Sequence, residues 1–239
     1  FTVAEEQGLR GAAAFDTSKL HSAVSYVLDH ATDIGEVITA APSLHQMTAE
    51  FQGVEAHAGL VPEAGRSAIA VAARAIDSME LGRLDEGTTA NVGMIEGGTS
   101  TNVIPGSCRI HGEARAVEPG RVAEVIAAMS DACVWAASEA GCEVDIVTRE
   151  VFRGYKVPEG SPALAIAEKA LGDQGIEPKR VATGGGSDAN VFIKAGFDSV
   201  LLANGTYGNH TSSESVPQAN LGVMLEVCEA ILVEAAGRC

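Results

Sequence analysis

The stretch Met47-Thr48-Ala49-Glu50-Phe51-Gln52-Gly53-Val54-Glu55-Ala56 alternates apolar and polar side chains. A period of two sets Met47, Ala49 and Phe51 on one face and Thr48, Glu50 and Gln52 on the other, as a half-buried strand requires. After Gly59, Pro62 and Gly65 the period changes. Ser67 stands where an N-cap belongs, and Ile69, Ala72, Ala75, Ile76 and Met79 follow at helical spacing. Two further strands are expected near residues 90–96 and 107–115, joined by the turn-rich Gly97-Gly98-Thr99-Ser100. Glu118-Pro119 opens a second helix, with Val122, Val125, Ile126, Met129, Ala132, Cys133 and Ala136 at helical spacing. Cys142 to Val151 alternates again. The order β-α-β-β-α-β is the split βαβ, or ferredoxin-like, motif, so residues 45–152 are predicted to form a self-contained α+β unit.

The flanks read differently. Ser25-Tyr26-Val27-Leu28-Asp29-His30 is a short apolar strand ending in an acid, and residues 34–41 form another that Pro42 ends. On the far side, Ser161-Pro162 starts a helix running to Leu171, and Arg180 to Thr183 is a short strand before Gly184-Gly185-Gly186-Ser187-Asp188, which reads as a flexible loop. Val200-Leu201-Leu202-Ala203 is an apolar strand leading to the polar loop with His210, and residues 218–236 make a last amphipathic helix. The predicted fold class is therefore α/β: one domain of residues 1–44 and 153–239, interrupted by the α+β, ferredoxin-like domain of 45–152.

Composition limits the function. Sixteen Lys and Arg against 32 Asp and Glu give a net charge of −16, which argues against nucleic acid, whose phosphates need a basic face. Anionic membrane surfaces are disfavoured for the same reason, and cation binding is compatible with it. The five cysteines include no C-x-x-C pair, which points away from a disulfide framework or zinc knot and toward reduced thiols in the cytoplasm. No apolar run of about 18 residues suggests a membrane span.

Chemistry is expected at the strand ends. In Thr2-Val3-Ala4-Glu5-Glu6-Gln7-Gly8 two carboxylates follow a β-branched pair, which reads as a buried strand emptying into a turn. Taken alone, Glu5 and Glu6 read more readily as a solvated pair at the start of a surface helix, because exposed charges are the rule. Asp29 and His210 also sit at strand ends, and carboxylate with imidazole is a ligand set that divalent ions accept. On position alone, a turn residue and a hydrogen-bonded surface histidine are the alternatives.

Several motifs in order carry a resemblance. Thr2 to Ala12 resembles the double-Glu motif of the M20 family of di-zinc peptidases, and Ala56-His57-Ala58-Gly59-Leu60-Val61-Pro62 resembles that family's lid motif. Thr101-Asn102-Val103-Ile104-Pro105, the Gly184 to Asn190 stretch, and Asn209-His210-Thr211 with Glu214 are similar too. The resemblance spans essentially the whole chain and is strongest to the peptidase T-like, tripeptidase-like branch.

It implies an interrupted zinc-peptidase-type catalytic domain with an inserted lid and dimerisation domain, two divalent metal ions (zinc), a short peptide substrate, and a homodimer formed through the lid. Glu5 would be the general base, Glu6 and His210 ligands of one ion, and Asp29 a ligand of the other. His57 would stabilise the oxyanion from the neighbouring subunit, Asn102 would assist it, and Arg115 would hold a substrate carboxylate. Gly185, Gly186 and Ser187 would contact the substrate. The family's His-x-Asp motif and its bridging carboxylate lie before the double Glu, and this chain opens on Phe1. The expectation is thus a partial metal site whose remainder precedes residue 1, with the chain as given inactive alone. A related aminoacylase, carboxypeptidase or desuccinylase, and a non-catalytic dimerisation module, are the competing readings.

Overall fold

The computed structural model describes residues 2–237, and the chain divides into two compact units. Unit 1 takes the chain up to Pro42 and again from Phe152 on, and unit 2 is Ser43–Val151.

Unit 1 begins with a 3₁₀ turn at Glu5–Gln7, α1 (Arg10–Ala14) and a second 3₁₀ turn at Thr17–Lys19. The strands β1 (Val24–His30) and β2 (Glu36–Ala41) follow. Unit 2 runs β3 (Ser43–Gln52), β4 (Ala56–His57), α2 (Ala68–Asp77), β5 (Gly82–Asp85), β6 (Thr88–Gly97), β7 (Val103–Ile104) and β8 (Ser107–Ala116). It closes with α3 (Arg121–Glu139) and β9 (Glu143–Phe152). Unit 1 resumes with β10 (Tyr155–Lys156), α4 (Pro162–Asp173), β11 (Lys179–Ala182), α5 (Asp188–Lys194), β12 (Asp198–Ala203) and α6 (Gln218–Ala236).

In unit 2 the main sheet has the order β5-β6-β8-β3-β9. Met47, Ala49 and Phe51 of β3 and Cys108, Ile110, Ala114 and Ala116 of β8 are buried under α2 and α3. Alanines on both helices keep this layer thin, and Ser67 caps α2 by accepting the Ala70 N–H at 3.2 Å. The lone tryptophan, Trp135, lies on the outer surface of α3, half exposed. Without β5 the strand order is the ferredoxin-like one. The extra edge strand turns into β6 at Asp85-Glu86-Gly87, where the Asp85 carboxylate accepts the Gly87 N–H at 3.0 Å.

The strand read through Ala56 stops at Gln52. Gly53 is the reason: its N–H goes to the Gly106 carbonyl at 2.8 Å, and a Cβ there would stand 2.1 Å from the Arg66 carbonyl oxygen. The chain leaves the sheet and forms a separate ribbon, pairing Ala56 with Ile104 and His57 with Val103.

In unit 1 the sheet runs β1-β12-β2-β10, with β11 also paired to β2. β12 is covered on both faces. Val200 and Leu202 pack with Val37 against α4 and α6, while Leu201 packs with Ile38, Ala41, Tyr155 and Ala189 of α5. Asp198 ties α4 to β12, accepting Ser161 Oγ–H at 2.6 Å and the Ala163 N–H at 2.8 Å. Tyr26 Oη donates to the Ala163 carbonyl at 3.0 Å. The helices read at residues 67–79, 163–171 and 218–236 all form.

Thr2–Ala4 is not a strand. No described strand pairs with it, Val3 is exposed, and its backbone lies over α1 so closely that a Cβ on Gly11 would meet the Val3 oxygen at 1.9 Å. A β-branched pair is strand-like only where a neighbour takes its hydrogen bonds. The Gly184–Asp188 stretch is likewise more ordered than a flexible loop, because Ser187 and Asn190 build a capping box that starts α5.

Candidate functional site

Parallel pairing of β1 with β12 brings their C-terminal ends together, with His30 opposite Ala203. The loop after β12 is tied there: the Asn204 N–H goes to the His30 carbonyl at 2.9 Å, and Asn204 Nδ2 to the Leu28 carbonyl at 3.2 Å. Its base is closed by a bridge between Tyr207 and Ser215 and by Tyr207 Oη donating to Asp33 at 2.7 Å. At its tip His210 takes a left-handed φ of 63°, a strained conformation for a non-glycine residue.

That strain aims the imidazole. His210 Nδ1 stands 3.3 Å from Glu6 Oε2, with both side chains exposed. Glu5 and Glu6 share a 3₁₀ turn between left-handed Ala4 (φ 54°) and Gly8 (φ 84°), and Leu9 (φ 62°) adds a third such residue. Adjacent in sequence, the two acids differ in setting. Glu6 is exposed and Glu5 partly buried. Burial first, then the charges of Asp29, Glu6 and Asp188, push the Glu5 carboxyl up to about 7, with His210 opposing. Asp29 is raised by loss of solvent around its carboxylate first, then by Asp188, Glu6 and Glu214, again against His210.

Glu5, Glu6, Asp29 and His210 thus form one electrostatic cluster, and the structure adds Asp188 to it. Asp188 is 5 % exposed; Oδ2 accepts the Thr2 hydroxyl, while Oδ1 is buried with no hydrogen-bond partner. A buried carboxylate oxygen without a donor, among other acids, is costly unless a cation stands near. In sequence Asp188 reads as the end of a flexible loop; the Ser187–x–x–Asn190 spacing, which starts a capped helix, is the signal that could have drawn notice to it.

In donor chemistry this cluster fits divalent ions, because carboxylate and imidazole converge. The assembly stops short of a full shell: among the described residues no group of three His, Cys, Asp or Glu side chains could hold an ion.

Ser187 is buried, and its hydroxyl accepts the Ala189 N–H at 3.3 Å while its own N–H goes to Asn190 Oδ1 at 3.0 Å. The Gly185 N–H is held by Thr183 Oγ1 at 3.1 Å, and a Cβ on Gly186 would collide with the Phe152 ring at 2.3 Å.

In unit 2, His57 and Asn102 come together on the β4–β7 ribbon, where the Ala58 N–H donates to the Asn102 carbonyl at 2.9 Å. Arg115 lies apart from them, on the open face of β8, its Nε on Glu113 at 2.8 Å.

Residues 39–140 match the M20 peptidase dimerisation domain. Aminopeptidase PepT from Bacillus cereus superposes with a TM-score of 0.89 at 39 % identity, over 98 % of this chain and 63 % of its own. A tripeptidase from Staphylococcus aureus superposes at 0.94 with 32 % identity, over the same shares. The uncharacterized protein YqjE of Bacillus subtilis is 40 % identical over 98 % of this chain and 63 % of its own length. The chain thus spans somewhat less than two thirds of these relatives. No helix among the described residues is long and apolar enough to cross a membrane. The M20 peptidase dimerisation-domain match falls mostly in unit 2, and the likeness to PepT and to the tripeptidase runs through both units.

Proposed function

We propose that this protein is a metal-dependent hydrolase of short peptides, an aminopeptidase acting on tripeptides as a homodimer. The observation that carries this reading is the gathering of Glu5, Glu6, Asp29 and His210 into one cluster at the ends of β1 and β12. The likeness to PepT and to the tripeptidase supports the substrate class. Residues 1–44 and 153–239 would be the catalytic domain and 45–152 the lid through which two copies pair. Free cysteines suit a reducing cytoplasm.

Glu6 and His210 would hold one divalent ion and Asp29 another, both zinc. When bound, such ions lower the pKa of water and polarise a carbonyl. Glu5, set apart from Glu6 by partial burial, takes a proton from the attacking water and returns it to the leaving amine. The partner subunit's His57, with Asn102, donates N–H groups to the oxyanion. Arg115 exchanges Glu113 for the substrate carboxylate, which its guanidinium grips as a fork. Gly185 and Gly186 border the substrate, and buried Ser187 keeps their loop in place.

The test joins zinc titration calorimetry to a substrate panel of free-amino tripeptides, N-acetyl amino acids and N-succinyl amino acids. Tripeptide cleavage is expected, lowered about 10²–10⁴-fold by Glu5→Gln. Zinc affinity is expected to fall in Glu6→Ala and His210→Ala. Cleavage of the acyl amino acids instead would move the protein to the related amidases. Zinc affinity indifferent to both substitutions would remove the pair from the metal site.

A further inference from the structure

His57 ends β4, and its ring turns back on its own loop. Nδ1 stands 3.1 Å from the backbone nitrogen of Gly59 and accepts that N–H. A backbone N–H only donates. Nδ1 therefore carries no proton, and in the neutral ring the proton sits on Nε2. The turn is fixed independently of the ring, because the Leu60 and Val61 N–H groups both reach the His57 carbonyl, at 3.2 and 3.1 Å. Across the ribbon, Ser100 Oγ donates to Asn102 Oδ1 at 2.6 Å, which occupies the acceptor end of that amide and leaves its NH₂ end as the donor.

We propose that the Gly59 N–H is a positioning group that locks His57 in the Nε2–H tautomer. With Ser100 orienting the Asn102 amide in the same way, the ribbon presents two neutral N–H donors, His57 Nε2–H and the Asn102 NH₂. Such a pair suits an oxyanion and repels nothing anionic. The inference rests on the reading of His57 as an oxyanion donor. It adds what that reading lacks: the reason the exposed ring offers a donor rather than a lone pair. Glycine at 59 is not demanded by space, since a Cβ there would meet the ring at 3.7 Å, ordinary contact.

The test is the tautomer itself, read by long-range proton–nitrogen correlation on protein with ¹⁵N-labelled histidine and glycine, at a pH where imidazole is neutral. His57→Gln identifies the His57 signals among the six histidines. The expected result is an exclusive Nε2–H form in the wild type, with a scalar coupling between Gly59 N and His57 Nδ1. Gly59→Ala, which keeps the N–H, retains the same tautomer. Gly59→Pro, which deletes it, gains an Nδ1–H population. An Nδ1–H form in the wild type, or absence of the coupling, overturns the proposal, and the coupling is read without any variant having to fold. Unchanged tripeptide turnover in His57→Gln, with the coupling present in the wild type, overturns the functional reading instead, and with it the positioning role.

Discussion

Glu5 and Glu6 share a turn and little else. One is partly buried with its carboxyl pushed up to about 7, and the other is exposed against His210. The glycine that holds this turn in place is Gly11, whose Cα lies under the Val3 backbone. Gly11→Ala would put a methyl where the Val3 oxygen stands, and backbone cannot yield as a flexible side chain does. It should displace residues 2–4 and the turn after them. Zinc affinity is expected to drop at least tenfold while the urea midpoint changes little. Equal affinity in calorimetry would separate Val3 from the site.

Cys133 makes a different residue-scale prediction. It is fully buried, and burial pushes its thiol from an ordinary 9.0 up to about 11. Because the unfolded thiol ionises first, stability from this residue is complete below pH 9 and is lost as pH rises toward 11. The gap of about 2 between those values corresponds to at most about 3 kcal/mol. Buried Cys108 shifts in the same direction. Urea unfolding at pH 8 and 11 should show the loss, and Cys133→Ala should reduce it.

At the scale of elements, the strands and helices that bury apolar faces were legible. Met47, Ala49 and Phe51 alternate because β3 has a covered face, and Ser67 and Ser161 cap the helices they precede. What could not be read were features set by tertiary partners. Gly53 ends β3 because Arg66, far along the chain, occupies the space a Cβ would need. Thr2-Val3 has strand chemistry but no strand beside it among the described residues. Asp188 reads in sequence only as the end of a flexible loop, and the fold alone sets its bare oxygen in the electrostatic cluster with Glu5 and Asp29. The motif order singled out Glu6 and His210 as candidates, but their 3.3 Å approach depends on a left-handed His210 and a loop tied to β1.

α5 gives the prediction for this scale. Ser187→Ala removes both the cap on the Ala189 N–H and half of the capping box, which costs about 1 kcal/mol, within a range of about 0.5–2. Chemical denaturation measures it directly. A loss under about 0.3 kcal/mol would mean that α5 is held by packing alone.

For the whole molecule, each unit owns a core. Ile110 lies in that of unit 2 and Leu201 in that of unit 1, both essentially inaccessible. Truncating either to alanine is expected to cost about 2–5 kcal/mol, because the packed surroundings collapse only partly onto the cavity. The loss should fall on the unit that contains the residue. A single shared transition that both truncations lower equally would show that the units unfold as one.

The means of telling these cases apart is already in the chain. Trp135, on the outer surface of α3, belongs to unit 2, whereas Tyr26, Tyr155 and Tyr207 all belong to unit 1. Excitation at the red edge of the indole band therefore reports on the dimerisation domain alone. Tyrosine emission reports on the unit with the acidic cluster. The protein carries two intrinsic fluorophores, one colour for each half of its folding, and no label need be added to watch them separately.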